Sequence, residues 1–124
     1  MNETQRLVKA YLDERDWNHL APADIAKSIM IEGAELLELF QWKNHTVEEI
    51  NADPLLKQNM QKEIADVVIY AIELAVHLDI DIDEAVKLKI EHNEKKYPAS
   101  KVKGSTIVND FYMSQKAKYR KEKK

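Results

Sequence analysis

The sequence predicts an all-α protein, and three observations carry that expectation. Apolar residues recur at helical spacing through four long segments, no stretch alternates apolar and polar residues as a half-buried strand would, and the capping residues fall where those segments begin. With 124 residues, 44% of them hydrophobic, the chain is long enough for one domain with its own core.

The first helix covers residues 3–15, where Leu7, Val8, Tyr11 and Leu12 form one apolar stripe. Pro22, followed by Asp24 in the first turn, opens a second helix that the pattern extends to about Trp42. Thr46 and Glu49 have capping-box spacing and start a short helical turn. Asp53 and Pro54 form an N-cap and first-turn pair, and no breaker interrupts the pattern from Leu55 to about Leu78, which makes this the longest helix. Asp81 and Glu84 repeat the capping-box spacing and launch a fourth long helix, which has to stop near Tyr97 because Pro98 disfavours helical geometry in the residue before it. Gly104 and Ser105 then mark a turn, and residues 116–124 read as a mobile basic end. The organisation expected is a helical domain over 1–105 and a basic tail over 106–124.

Composition excludes several kinds of chemistry. The chain has no cysteine, so disulfide frameworks, thiolate zinc sites, iron–sulfur clusters and cysteine nucleophiles are ruled out. Its two glycines, Gly33 and Gly104, cannot form a glycine-rich phosphate loop. The apolar runs are short and broken by charge, and the first residues lack the apolar core of a signal peptide, so a soluble cytoplasmic protein without membrane contact is expected. The net charge of −3 divides unevenly. Residues 1–94 hold 9 basic and 20 acidic side chains, and residues 95–124 hold 10 basic and 2 acidic. A basic end of this kind is a solvated tail, a nucleic-acid-binding tail, or a cover for an acidic body and its bound anion.

Certain acids fall on apolar stripes. At 100° per residue, Glu35 lies about 60° from Glu32, and Ile25, Ile29, Leu36 and Leu39 project around the same direction. The longest helix repeats the arrangement with Glu63 and Asp66, flanked by Leu56, Met60, Val67, Tyr70 and Leu74. Four carboxylates aimed at a shared core would repel one another and lose hydration, at several kcal/mol each, unless something compensates. Lys27 and Lys62 point elsewhere. Either the acids lie at the rim of the bundle, solvated or paired with Lys or Arg, or a hard divalent cation compensates them, and Mg²⁺ or Mn²⁺ suits an all-oxygen ligand set. Glu38, on the acidic side of its helix, is either a solvent-facing acid or a group that reaches a metal-bound water. The four histidines, His19, His45, His77 and His92, show no ligand spacing, and the Glu-x-x-His pairs of di-iron bundles are missing.

The segments EGAELLELFQW (32–42), KEIADVVIY (62–70) and KIEHNEKKYP (89–98) occur in an order that resembles the MazG-like nucleoside triphosphate pyrophosphohydrolases, in particular the dCTP-pyrophosphatase-like branch of the all-α NTP pyrophosphatase superfamily. The resemblance covers about residues 17–105. It implies a four-helix bundle, assembled into a dimer or tetramer, that hydrolyses nucleoside triphosphates to monophosphate and pyrophosphate with Mg²⁺. By motif position it assigns metal binding to Glu32, Glu35, Glu63 and Asp66; the chemistry of such a site then asks a neighbouring carboxylate, Glu35 or Glu38, to orient the attacking water or take its proton. The same motif positions assign phosphate or sugar contacts to Tyr70, phosphate binding or pocket closure to Lys89, Asn93, Lys96 and Tyr97, and base stacking to Trp42. The interval from Trp17 to Pro22 is one residue shorter than the family pattern, and Leu20 stands where that pattern has histidine.

Two other readings compete with this one: a catalytically silent helical interaction module of the same fold, and a nucleic-acid-binding protein that uses the basic tail. The acidic body argues against the second, because it repels a phosphate backbone.

Overall fold

The computed structural model describes residues 1–104 and 110–122. Among them all regular structure is helical: α1 (Glu3–Glu14), α2 (Pro22–Glu38), α3 (Val47–Asn51), α4 (Pro54–His77), α5 (Ile82–Lys96), α6 (Ala99–Val102) and α7 (Asp110–Glu122). The chain divides into two compact units, Met1–Ile82 and Asp83–Lys124.

In the first unit α2 lies along α4, while α1 and the short α3 pack on other parts of α4. Val8 and Leu12 of α1 meet Ile72 of α4, with Val76 and Ile82 at the edge of this cluster. Ile25 of α2 and Met60 and Ala75 of α4 are also buried. A polar staple holds α1 to the connection after α4. The buried Gln5 amide donates to the Ile80 carbonyl at 2.8 Å, and its oxygen accepts from the Ile82 backbone at 3.0 Å. This one buried side chain has both its donor and its acceptor satisfied by backbone groups on the connection that follows α4.

The helix starts follow from the capping chemistry. Asn2 accepts from the Gln5 backbone, Thr46 and Glu49 complete a full capping box, and Asp53 accepts from the Leu56 backbone ahead of Pro54. The stops are built differently. α1 and α4 both end in Schellman motifs: Trp17 N–H reaches the Leu12 carbonyl at 3.0 Å, and Ile80 N–H reaches that of Ala75 at 2.8 Å. The left-handed residue in each is an aspartate, Asp16 at φ 54° and Asp79 at φ 53°, where glycine is the usual occupant. α2 stops at Glu38, short of the expected Trp42, because its end tightens into successive i to i+3 bonds, Phe40 to Leu37 and Gln41 to Glu38.

In the second unit α5 ends at Lys96, as Pro98 requires, and Gly104 takes φ 78°. Ser105 and the expected domain boundary beside it lie outside the described residues. Of residues 116–124, expected as a mobile basic end, 116–122 are helical instead, and 123–124 lie outside the described residues. Tyr112 and Tyr119, two turns apart, give α7 an aromatic stripe: Tyr112 stacks on Tyr97 at 4.8 Å between centroids, and Tyr119 meets the His92 ring edge-on at 5.3 Å. The basic residues on the rest of α7 hide that stripe in the sequence.

Candidate metal centre and adjoining cleft

Pro22 and Asp53–Pro54 fix where α2 and α4 begin, and packing of the two helices turns their paired acids toward each other. Glu32 and Glu35 come from α2, Glu63 and Asp66 from α4, and one carboxylate oxygen from each lies within 4.8 Å of the others. All four sequence-derived ligand candidates therefore meet in one place. Glu32 Oε2 and Glu63 Oε2 are buried with no hydrogen-bond partner. None of the ion pairs among the described residues includes any of the four.

The electrostatics follow from this crowding. A hydrogen bond with Glu35 raises the Glu32 carboxyl above the usual glutamate range, assisted by burial and by the charges of Glu35, Asp66 and Glu63. Glu63 is raised mainly by burial, then by Glu35 and Asp66, with a smaller contribution from Glu38. Glu38, the last residue of α2, is exposed and stands outside the four, but its charge reaches Glu63. Acids that raise one another and lack a basic partner form a site that a divalent cation would stabilise. Two orphaned buried oxygens in an all-carboxylate set fit a hard ion such as Mg²⁺ or Mn²⁺.

Beside the cluster lies a cleft of about 390 Å³, walled by Leu7, Val8, Tyr11 and Leu12 of α1, by Trp17 and Leu20, and by Asp66, Ile69, Tyr70 and Glu73 of α4. Asp66 belongs to both features. Tyr70 lines this cleft, as its place one turn after Asp66 implies. Its hydroxyl is raised by burial and by the charges of Glu32, Glu73 and Asp66. Trp17 packs edge-on against Tyr11 at 5.8 Å, and the Arg15 guanidinium covers the Tyr11 ring at 4.0 Å.

Trp42 is not brought to this cleft. Because α2 ends at Glu38, the face shared with Glu35 is not continued, and Trp42 stands 90% exposed. Lys89, Asn93, Lys96 and Tyr97 belong to the second unit. There Lys89 and Asn93 lie one turn apart on α5, and the Tyr97 N–H donates to the Asn93 carbonyl at 2.7 Å. The Lys96 ammonium sits 5.0 Å from the Tyr97 ring centre and 5.4 Å from that of Tyr119. Sequence reasoning missed Tyr11, Trp17 and Glu73 as cleft residues. Glu73, seven residues after Asp66 on the same helical face, was the available signal.

A model of the MazG-like family matches residues 27–107, which include all four clustered acids. The chain belongs to the MazG-like family. It is 34% identical over 107 residues to dCTP pyrophosphatase 1 of Mus musculus, a match covering 85% of this chain and 63% of that protein. Against dCTP pyrophosphatase 1 of Homo sapiens it is 32% identical over 108 residues, covering 86% and 64%. The chain thus spans somewhat less than two thirds of the length of these relatives. The crystal structure of a pyrophosphatase from Archaeoglobus fulgidus is similar at a TM-score of 0.66 and 42% identity, covering 77% of this chain and 90% of that one. The all-α class read from the sequence is the class found among the described residues, where all regular structure is helical. No helix among the described residues is long and apolar enough to cross a membrane.

Proposed function

We propose that this MazG-like chain is a Mg²⁺-dependent nucleoside triphosphate pyrophosphohydrolase, with Mn²⁺ as a possible substitute, converting a (d)NTP to the (d)NMP and pyrophosphate in the cytoplasm as part of nucleotide-pool cleansing. The observation that carries this reading is the four-carboxylate cluster with orphaned oxygens and no basic partner. The activity for which its relatives are named, dCTP pyrophosphatase, supports the substrate class. The reading places the catalytic domain in residues 1–105, with 106–124 appended, and takes the assembly as a homodimer or homotetramer.

Glu32, Glu35, Glu63 and Asp66 would hold the metal, which supplies charge neutralisation for phosphate oxygens and a lowered pKa for bound water. The chain's own groups do the rest. Glu35 or Glu38 accepts a proton from the attacking water as its oxygen bonds to the α-phosphorus. The bond from that phosphorus to the α,β-bridging oxygen breaks, and pyrophosphate leaves. Lys89 and Lys96 supply compact positive charge to the phosphates, and Asn93 and Tyr97 supply hydrogen bonds. Tyr70 contacts the sugar or phosphates from the wall of the cleft, and Trp42 offers a ring for base stacking.

A panel of NTPs and dNTPs assayed with Mg²⁺ for both phosphate products tests the reading. Monophosphate and pyrophosphate in equal amounts are expected, while orthophosphate, or no turnover of any nucleotide, would overturn it. Glu63→Gln and Asp66→Asn are each expected to lower kcat by about a hundredfold or more with helical circular dichroism intact. Retained turnover in either variant would remove that residue from the metal site.

A further inference from the structure

Lys96 is held by rings and not by acids. None of the ion pairs among the described residues includes it. The positions three and four residues before it on α5, from which a helical acid would reach it, are Asn93 and His92. Its ammonium lies instead 5.0 Å from the Tyr97 ring centre and 5.4 Å from that of Tyr119 on α7. Each of these rings is itself braced. Tyr112 of α7 stacks on Tyr97 at 4.8 Å with 16° between the planes, and His92, one turn before Lys96, meets Tyr119 edge-on at 5.3 Å. Tyr112 and Tyr119 are seven residues apart, so one face of α7 supplies both contacts. α7 spans Asp110–Glu122, whereas the MazG-like match ends at residue 107. Half of this aromatic clamp therefore comes from a segment outside the match.

We propose that Tyr119 of α7 is a positioning residue for Lys96, its ring holding the ammonium in place to receive the phosphates of a nucleoside triphosphate. This rests on the pyrophosphohydrolase reading, in which Lys96 serves the phosphates, and adds to it a residue that touches no phosphate itself. The physics favours rings over acids for the task. A carboxylate would fix the lysine but neutralise it, leaving little field for an anion. A ring attracts the ammonium through its quadrupole and leaves the whole unit charge, with its N–H donors, to be shared with a phosphate. Lysine also carries a flexible four-carbon stem, whose freedom is lost when it grips a ligand. Rings that restrict the stem beforehand reduce that loss, and the gain appears in binding.

The test measures kcat and KM with Mg²⁺, for the nucleotide turned over fastest, in the wild type, Tyr119→Phe, Tyr119→Leu, Lys96→Met and the Lys96→Met, Tyr119→Leu double variant. Tyr119→Leu is expected to raise KM by about two- to fivefold, the factor that a cation–π contact of ordinary strength supplies, with kcat little changed. Tyr119→Phe, which keeps the ring, keeps the wild-type KM. In the Lys96→Met background the leucine substitution adds nothing. A KM that is unchanged or lower in Tyr119→Leu, or an equal rise with and without Lys96, overturns the proposal. NMR supplies a readout that needs no turnover. Ring currents are expected to move the Lys96 ε-methylene protons upfield in the wild type and Tyr119→Phe, and Tyr119→Leu to release part of that shift. Titration with Mg²⁺ and inorganic pyrophosphate, followed on the same protons, separates this proposal from the reading beneath it. Tyr119-dependent affinity for pyrophosphate without turnover of any triphosphate would sink the hydrolase and keep the clamp. Turnover with a KM and a pyrophosphate affinity that ignore Tyr119 would do the reverse. Should Tyr119→Leu fail to fold, the wild-type spectrum decides: the upfield position has to persist when pyrophosphate saturates the protein, and its absence or its collapse on binding overturns the proposal.

Discussion

At the scale of single residues, the acids of α4 face opposite requirements. Glu63 and Asp66 need to be charged to hold a cation, whereas Glu73 is pushed above the ordinary glutamate value of 4.5 by burial, with His77 opposing. A carboxyl whose folded-state pKa exceeds its unfolded value stabilises the fold fully below the unfolded value. It loses that contribution as pH rises through the folded value. The expected outcome is that Glu73→Gln gains thermal stability over the wild type as pH is raised from about 4.5 toward neutrality. Melting temperatures of both proteins across that range check it, and a gap that stays constant or narrows would contradict it. The four clustered acids were legible in the sequence because two pairs three residues apart on apolar stripes form a pattern. Glu73 and Gln5 were not, because a single polar residue on an apolar face carries no periodicity, and only the packed fold shows Gln5 joined to Ile80 and Ile82 while Glu73 has no such partner.

At the scale of elements, the contrast lies between how helices start and how they stop. Starts were legible because Pro22, Thr46 with Glu49, and Asp53 with Pro54 advertise their chemistry. The stop of α2 was overread because Trp42 continues the apolar period after the backbone hydrogen bonding has tightened at Glu38. α7 was missed because lysines surround the tyrosines that hold it. At the ends of α1 and α4, aspartate occupies a left-handed position that costs an L-residue roughly 1 kcal/mol relative to glycine. Asp79→Gly is expected to raise the melting temperature by about 4 °C, read by differential scanning calorimetry. Gly33, in the interior of α2, presents the reverse case. A methyl group added there would meet nothing within 4 Å, so Gly33→Ala is expected to stabilise by up to about 1 kcal/mol in denaturant melts. The two sites share no partner, and their effects should add.

At the scale of the whole molecule, the buried core is modest and much apolar surface stays in water. Met30 and Leu37, seven residues apart on α2, are 74% and 70% exposed, and Ile64 and Val68 on α4 are also exposed. Surface of this kind marks association. The expected result is a dimer or tetramer in sedimentation velocity, with a melting temperature that rises with protein concentration, and Met30→Glu is expected to shift the distribution toward the monomer. Mg²⁺ is expected to act on the same transition. An ion bound only by the folded cluster adds about 2.7 kcal/mol at a hundred times its Kd, and EDTA should remove that increment from the wild type but not from Glu63→Gln.

The two tryptophans differ in surroundings. Trp17 stands half-exposed in the wall of the cleft beside Tyr11, and Trp42 stands in solvent past the end of α2. Their emission should therefore separate, with Trp42 contributing the red, easily quenched component and Trp17 the component sensitive to whatever fills the cleft. In a Trp42→Phe protein the remaining indole would be a built-in optical gauge of cleft occupancy, usable in stopped flow without a label.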